Sequence, residues 1–248
     1  MITPKNTDNN EMSVAFKHQH EIGHEPDFFR LPWSYLWELC RDGRTPIRAI
    51  TDEAMKYYHR FLECDGTIYE LSAPNDYYKS FYSKHQKYVT TNYRDNADMV
   101  VDMTDMPFQD NSVDAMLSMF ALEHIENYQQ ALLEVHRSLK PGGRFLMAVP
   151  FLYYYHAAPD DYIRFTTSYL SSLLSKFDIL SMQTLGNRAL LIGQVFHEKP
   201  WMNKRSGSLT RLCLRLFAGL ATSTYILRPE RDTTFYSAVI ILVEKRNK

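Results

Sequence analysis

The segment from Val100 to Pro150, VVDMTDMPFQDNSVDAMLSMFALEHIENYQQALLEVHRSLKPGGRFLMAVP, constrains the fold of this chain more than any other. Its hydrophobic period changes from extended to helical and back within about fifty residues, as a strand, an amphipathic helix and a second strand require. The run from Val113 to Phe120 is too nearly apolar for a strand with one wet face, so it predicts a central strand covered on both sides. Asn127, with Gln130 three residues on, predicts a helix cap. Tyr128, Leu132, Val135 and Leu139 then recur on one face, while Gln129, Glu134, Arg137 and Lys140 point elsewhere. Pro141-Gly142-Gly143 predicts the helix stop, and Phe145 to Val149 returns to the sheet. Parallel strands should therefore flank that helix, in an α/β architecture.

The chain has 248 residues, of which 45% are hydrophobic, enough for one large α/β domain with its own core and too few for two. Lys plus Arg number 28 against 29 Asp plus Glu, so no global field favours a nucleic-acid partner. Cys40, Cys64 and Cys213 are odd in number and without a short paired spacing, which speaks against a disulfide framework or a zinc site and leaves buried free thiols as the expectation. Residues 1–25 are polar and read as a flexible tail, although His18 and His20 form a His-x-His pair, with His24 and His59 further along. That polar start lacks the apolar stretch of a signal peptide. The run from Leu212 to Leu227 is broken by Arg215 and by Thr222 to Thr224, and is shorter than the roughly 20 residues a membrane span needs. A soluble, cytoplasmic protein is the expectation.

DMTDMPFQDNSVDAM, LEHI and LKPGGRFLMAVP, in that order and register, resemble the second half of a class I S-adenosylmethionine (SAM)-dependent methyltransferase. A later loop, carried by His156, Pro159, Asp161, Tyr162, Arg164, Phe165 and Thr166, resembles the H-x-x-P-x-D-Y-x-R-F-T signature of a subgroup of type 11 methyltransferases. The resemblance implies a Rossmann-like, doubly wound, mostly parallel seven-stranded sheet with an antiparallel last strand, which the run from Thr234 to Glu244 would supply. It implies SAM as cofactor, and methyl transfer to an oxygen or nitrogen of a small molecule or glycan by a monomer or homodimer, with no metal needed.

Residue by residue, the resemblance puts the first strand and the cofactor loop after Gly66. Glu70 stands in the acidic place, and Ser72, Ala73 and Pro74 stand where the family has glycines. Glycine suits such a loop because it lets backbone approach the ligand closely, and Pro74 has no N–H to donate. The strand from Lys87 to Tyr93 would carry Asn92 at the ribose position. Asp102 and Met103 match the adenine-holding pair, with a turn cap before Pro107 as the other reading of Asp102; Phe120 completes the cofactor set. On the substrate side, His156 could take a proton from an acceptor hydroxyl, with Asp160 or Asp161 orienting it, Tyr162 beside them and Arg164 holding an anionic group. The other reading of that loop is structural: Asp161 and Arg164 pin it, and Thr166 or Thr167 caps the next helix. The missing glycines and Asn92 also leave open a methyltransferase-fold binding or scaffold protein without catalysis.

The remaining chain fits a single domain over 26–248. Within it, 26–64 form a helical cap containing Phe28, Leu31, Tyr35, Leu36, Leu39, Ile50, Met55, Tyr58, Phe61 and Leu62, which either crosses the cofactor cleft or covers the sheet. Thr51 or Asp52 could cap its second helix. Tyr169, Leu170, Leu173 and Leu174 predict the buried face of another helix, and Asp178 to Gln183 a strand. Residues 195–228 read as a helical insertion. Residues Trp201, Lys204 and Arg205 lead into a basic amphipathic helix in which Leu209, Leu212, Leu216 and Leu220 recur with Arg211 and Arg215 alongside, and Leu212, Leu216 and Leu220 should pack on protein, in the monomer or a dimer. Weak contact with a membrane surface is the alternative.

Overall fold

The structure is a computed structural model that describes residues 26–27, 29–41, 44–73, 75–94, 96–157, 159–197 and 208–246. The histidine-bearing tail, Phe28, Pro74, Trp201, Lys204 and Arg205 lie outside the described residues, as do the side chains of Cys40, Arg211 and Leu212. Seven strands form one sheet: β1 (Thr67–Leu71), β2 (Lys87–Asn92), β3 (Met99–Val100), β4 (Val113–Met119), β5 (Leu139–Pro150), β6 (Phe177–Leu185) and β7 (Ala238–Lys245). Their order is β3-β2-β1-β4-β5-β7-β6. β1 pairs in parallel with β2 and β4, and β4 with β5, whereas β7 runs antiparallel between β5 and β6. The strand order reverses between β1 and β4, and open α/β sheets bind ligands outside the carboxyl ends of strands at such a point.

The helices are α1 (Ser34–Arg41), α2 (Pro46–Tyr58), α3 (Tyr128–Ser138), α4 (Thr167–Leu173), α5 (Arg188–His197) and α6 (Ser208–Leu227). One apolar cluster joins Ile50, Met55 and Tyr58 of α2, Leu190 of α5 and Tyr225 of α6 to sheet residues Ile68, Leu117, Leu146 and Ile240. A second, on the opposite face, joins Leu132 and Val135 of α3 and Leu170 of α4 to Met116, Phe145, Met147 and Val239. Central strands covered on both faces account for the near-continuous apolar run of β4.

The βαβ unit is present, with one boundary moved. Asn127 accepts a hydrogen bond from the Gln130 backbone N–H at 3.4 Å, as the cap requires. The helix ends at Ser138, so Leu139 is the first residue of β5, opposite Val113, and not the last of the helical face. Pro141-Gly142-Gly143 then lies within β5, where the register jumps before Arg144 pairs with Ala115. A Cβ on Gly143 would come within 2.9 Å of the Lys140 carbonyl oxygen, so the bulge needs glycine there.

Several other expectations are corrected. Thr51 and Asp52 do not cap α2, which begins at Pro46 after Thr45; Thr51 Oγ1 donates to the Ile47 carbonyl inside the helix, and buried Asp52 pairs with Arg44 and accepts from Tyr77 Oη at 2.8 Å. Tyr169 is exposed rather than buried, donating or accepting a 2.9 Å bond with Tyr128 Oη. Cys213 is exposed and Cys64 half-buried, so the free thiols are not both core. On α6, Leu209, Leu216 and Leu220 face outward, with Leu216 63% and Leu220 66% exposed in the monomer, while Ala218, Thr222 and Tyr225 are buried. The reason is local: at Gly193 of α5 a Cβ would sit 2.5 Å from Thr222 Oγ1, so the two helices meet through small residues and the leucines are left on the far side. Among the described residues no helix is long and apolar enough to cross a membrane.

Candidate active site

A cavity of about 1040 Å³ opens at the carboxyl ends of β1 and β4. Both strands leave the sheet there through a residue in the left-handed region: Ser72 at φ 58° after β1 and Phe120 at φ 56° after β4. For a side-chain-bearing residue that conformation costs roughly 1–2 kcal/mol, and such strain concentrates at ligand sites. Ser72 thus adopts the backbone shape a glycine would favour, and the loop turns without the family's glycines. Its hydroxyl reaches Met103 Sδ at 3.3 Å.

Ser72, Asn92, Asp102, Met103 and Phe120 all line the cavity. Asn92 Nδ2 donates to the Ala73 carbonyl at 2.8 Å, so the amide is oriented by the loop it faces. Asp102 Oδ1 accepts from both the N–H and hydroxyl of Thr104, at 2.8 and 2.7 Å, while the carboxylate as a whole is exposed to the cavity. The turn role and the cavity-facing role of Asp102 are therefore compatible. Glu70 departs from its expected position. Its side chain is 2% exposed, does not line the cavity, and accepts a 2.6 Å bond from Tyr88 Oη; burial pushes its carboxyl up to about 7. A carboxylate at the end of β1 satisfied by β2 is part of the sheet, not of the cavity wall.

His156, Asp160 and Tyr162 line the same cavity. Asp161 and Arg164 do not. Asp161 is nearly buried, is held down to about 2 by the Arg164 guanidinium, and accepts the His156 backbone N–H at 2.9 Å. Arg164 also donates to the Tyr154 carbonyl at 3.1 Å, and Thr166 caps α4 through the Tyr169 N–H at 3.2 Å. This pair shapes the loop that carries His156 rather than facing a ligand. Burial lowers the pKa of His156, which keeps the imidazole neutral and able to accept a proton near neutral pH.

Arg48, Glu123 and His124 are among the lining residues not picked out from the sequence as site residues. Arg48, on the first turns of α2, donates to Tyr78 Oη at 2.9 Å and lies 5.6 Å over the Phe120 ring. With Thr45 and Ile47 it walls the cavity at the start of α2, whose later turns cover the sheet, so the two alternatives for this segment are not exclusive. Glu123 and His124 sit in the single turn after β4. His124 Nδ1 lies 2.5 Å from the Asp160 carbonyl, and the Tyr162 N–H donates to the Glu123 carbonyl at 2.9 Å, so this turn and the His156 loop are stitched together. Burial raises the Glu123 carboxyl to about 8. LEHI was legible as a marker of the fold; its position just past the end of a central strand was the signal that its polar pair belongs to a site. Arg48 carried no such signal, because an arginine on an amphipathic helix reads as a solvated face.

Residues 53–147 match the sequence model of a methyltransferase domain. The bovine 2-methoxy-6-polyprenyl-1,4-benzoquinol methylase of mitochondria is 47% identical over 45 residues, 18% of this chain and 14% of that protein. The Brucella canis ubiquinone/menaquinone biosynthesis C-methyltransferase is 43% identical over 53 residues, 21% of this chain and 20% of that one. The matches thus span about a fifth or less of these relatives' length. Among solved structures, the [4+2]-cyclase SpnF is similar at TM-score 0.56 and 16% identity, covering 84% of this chain and 86% of that one. Geranyl diphosphate C-methyltransferase from Streptomyces coelicolor, solved with Mg2+, geranyl diphosphate and S-adenosylhomocysteine, is similar at TM-score 0.53 and 11% identity, covering 98% and 100%. The chain has the Rossmann-like fold of class I SAM-dependent methyltransferases. The match to the sequence model of a methyltransferase domain is confined to residues 53–147.

Proposed function

We propose that the protein is a SAM-dependent methyltransferase acting on an oxygen or nitrogen of a small molecule or glycan. The observation that carries this is the continuity of one cavity from Ser72, Asn92, Asp102 and Met103 to Glu123, His124 and His156. Single-ligand sites usually enclose about 300–1,000 Å³, so a cavity at the top of that range has room for a nucleoside cofactor and an acceptor together. In this reading Asp102 accepts from the adenine amine, the Met103 backbone faces the ring, and Asn92 meets the ribose. Arg48 meets the carboxylate of the methionine moiety, and the Phe120 ring lies beside the sulfonium. Bound SAM supplies an electrophilic methyl group on sulfur. The chain's part is to align the acceptor for in-line displacement and to take its proton, for which His156 is the candidate base. The curated relatives include a carbon methyltransferase by name, but an acceptor end lined by a carboxyl and two imidazoles favours a group that must shed an O–H or N–H proton.

The test is transfer of labelled methyl from SAM to fractionated small-molecule and glycan acceptors. Wild type should label a fraction, and His156→Ala should slow labelling by about 10²–10⁴-fold while SAM affinity stays within about threefold. A wild type that binds SAM yet labels nothing would favour the non-catalytic scaffold reading.

A further inference from the structure

Glu123, His124 and His156 each offer one ligand atom, and those atoms lie within 4.8 Å of one another at the acceptor end of the cavity. Ligands bound to one metal ion at about 2.0–2.2 Å sit roughly 3–3.5 Å apart, so closing on an ion requires only about 1–2 Å of movement. Glu123 Oε1 and His124 Nε2 are already 3.8 Å apart.

The surroundings of the three side chains point the same way. His124 Nδ1, 2.5 Å from the Asp160 carbonyl oxygen, must carry its proton there, which leaves the Nε2 lone pair free. His156 Nδ1 lies 3.3 Å from the Tyr154 carbonyl and 3.4 Å from Asp161 Oδ2, with the same consequence. A histidine that ligates a metal characteristically donates its other ring N–H to a carbonyl or carboxylate in this way. Glu123 supplies an independent observation: it is 0% exposed, and neither carboxyl oxygen accepts a hydrogen bond among the described residues. A buried acceptor without a donor is the exception in folded proteins, and a cation would satisfy it.

We propose that Glu123, His124 and His156 bind one divalent first-row transition-metal ion whose remaining coordination positions take the acceptor's oxygen. Two imidazoles and one carboxylate suit Mn2+, Fe2+, Co2+ or Zn2+ better than the all-oxygen preference of Mg2+. The proposal rests on the reading that the acceptor lies at this end of the cavity, and it narrows the acceptor to one that can coordinate, a hydroxyl or a vicinal diol. Coordination acidifies that hydroxyl. Its proton leaves to water at the cavity mouth, the oxygen–methyl bond forms as the methyl–sulfur bond breaks, and S-adenosylhomocysteine departs as a neutral thioether. With the ion in place His156 is a ligand; the role of base falls to it only in the metal-free protein.

The experiment is calorimetric titration of the full, chelator-treated chain with MnCl2 and with ZnCl2, alongside melting temperatures with and without each ion. Wild type should bind one equivalent and melt higher with the ion. His124→Ala and His156→Ala, both at half-buried positions, and the isosteric Glu123→Gln should each weaken binding at least tenfold while remaining folded by circular dichroism. A triple variant of His18, His20 and His24 to Ala should bind as wild type does. The proposal is overturned if wild type binds neither ion at 1 mM, if the folded cluster variants bind as tightly as wild type, or if the tail variant abolishes binding. Metal binding lost with SAM binding intact would remove only this inference; SAM binding lost with metal binding intact would remove the functional reading instead.

Discussion

Glu70 should make the protein less stable as pH rises from about 4.5 to about 7, and Glu70→Gln should remove that dependence. The side chain is 2% exposed, and burial raises its pKa from the ordinary 4.5 to about 7. In the unfolded chain the carboxyl is ionised above about pH 4.5, whereas in the folded chain it keeps its proton until about 7. Between those values the folded state therefore binds more protons, and stability falls with increasing pH. The interval is about 2.5 pH units, so at 1.36 kcal/mol per unit the full loss is on the order of 3 kcal/mol. Gln keeps the volume and still accepts the 2.6 Å bond from Tyr88 Oη, but does not titrate. Urea unfolding at pH 5, 6.5 and 8 should show wild type losing stability relative to Glu70→Gln across that range. Glu123, also raised, is common to both proteins and cancels in the difference. Because Glu70 does not line the cavity, SAM affinity should change by less than about threefold. Parallel stability profiles for the two proteins would refute the burial argument, and a large loss of SAM binding would return Glu70 to the cofactor site.

Asp102→Ala should weaken SAM binding about tenfold or more, the loss of a bond to a charged acceptor, and Arg48→Met should do the same if the guanidinium meets the methionine carboxylate; both are read by calorimetry, and unchanged affinity removes the residue from the cofactor set. Leu216→Ser with Leu220→Ser should leave stability within about 0.5 kcal/mol, because both side chains are exposed in the monomer. A loss above about 2 kcal/mol, or a drop in sedimentation coefficient, would show that this face of α6 is covered in a dimer.

The sheet was legible because its signals are local and redundant. The apolar run of β4 and the Asn127 cap each specify one boundary, and the cavity end of β1 and β4 follows from the topology they imply. Leu139 was misjudged because a residue at helical spacing from Val135 is equally at the start of a strand, and only pairing with Val113 decides between them. For α6 a similar ambiguity holds: periodicity finds an apolar face but not whether a partner covers it, and the close approach at Gly193 and Thr222 turns the small-residue face inward and leaves the leucines exposed in the monomer. At the site, the loops that resemble known motifs reach the cavity, and of the two readings of Asp161 and Arg164 the structural one, a pair that pins the loop, matches the ion pair between them. Asp161 and Arg164 sit in the motif but face each other, while Arg48 and Glu123 face the cavity from segments whose sequence reads as ordinary helix and turn.

The central claim is that the loop through Ser72, without the family's glycines, still shapes a cavity that holds SAM. Calorimetric titration of S-adenosylhomocysteine, the demethylated product, into wild type and into Asp102→Ala tests it most directly. The account predicts one site per chain with a dissociation constant in the micromolar range, about tenfold weaker in the variant. No heat and no rise in melting temperature with wild type at 1 mM ligand would contradict it.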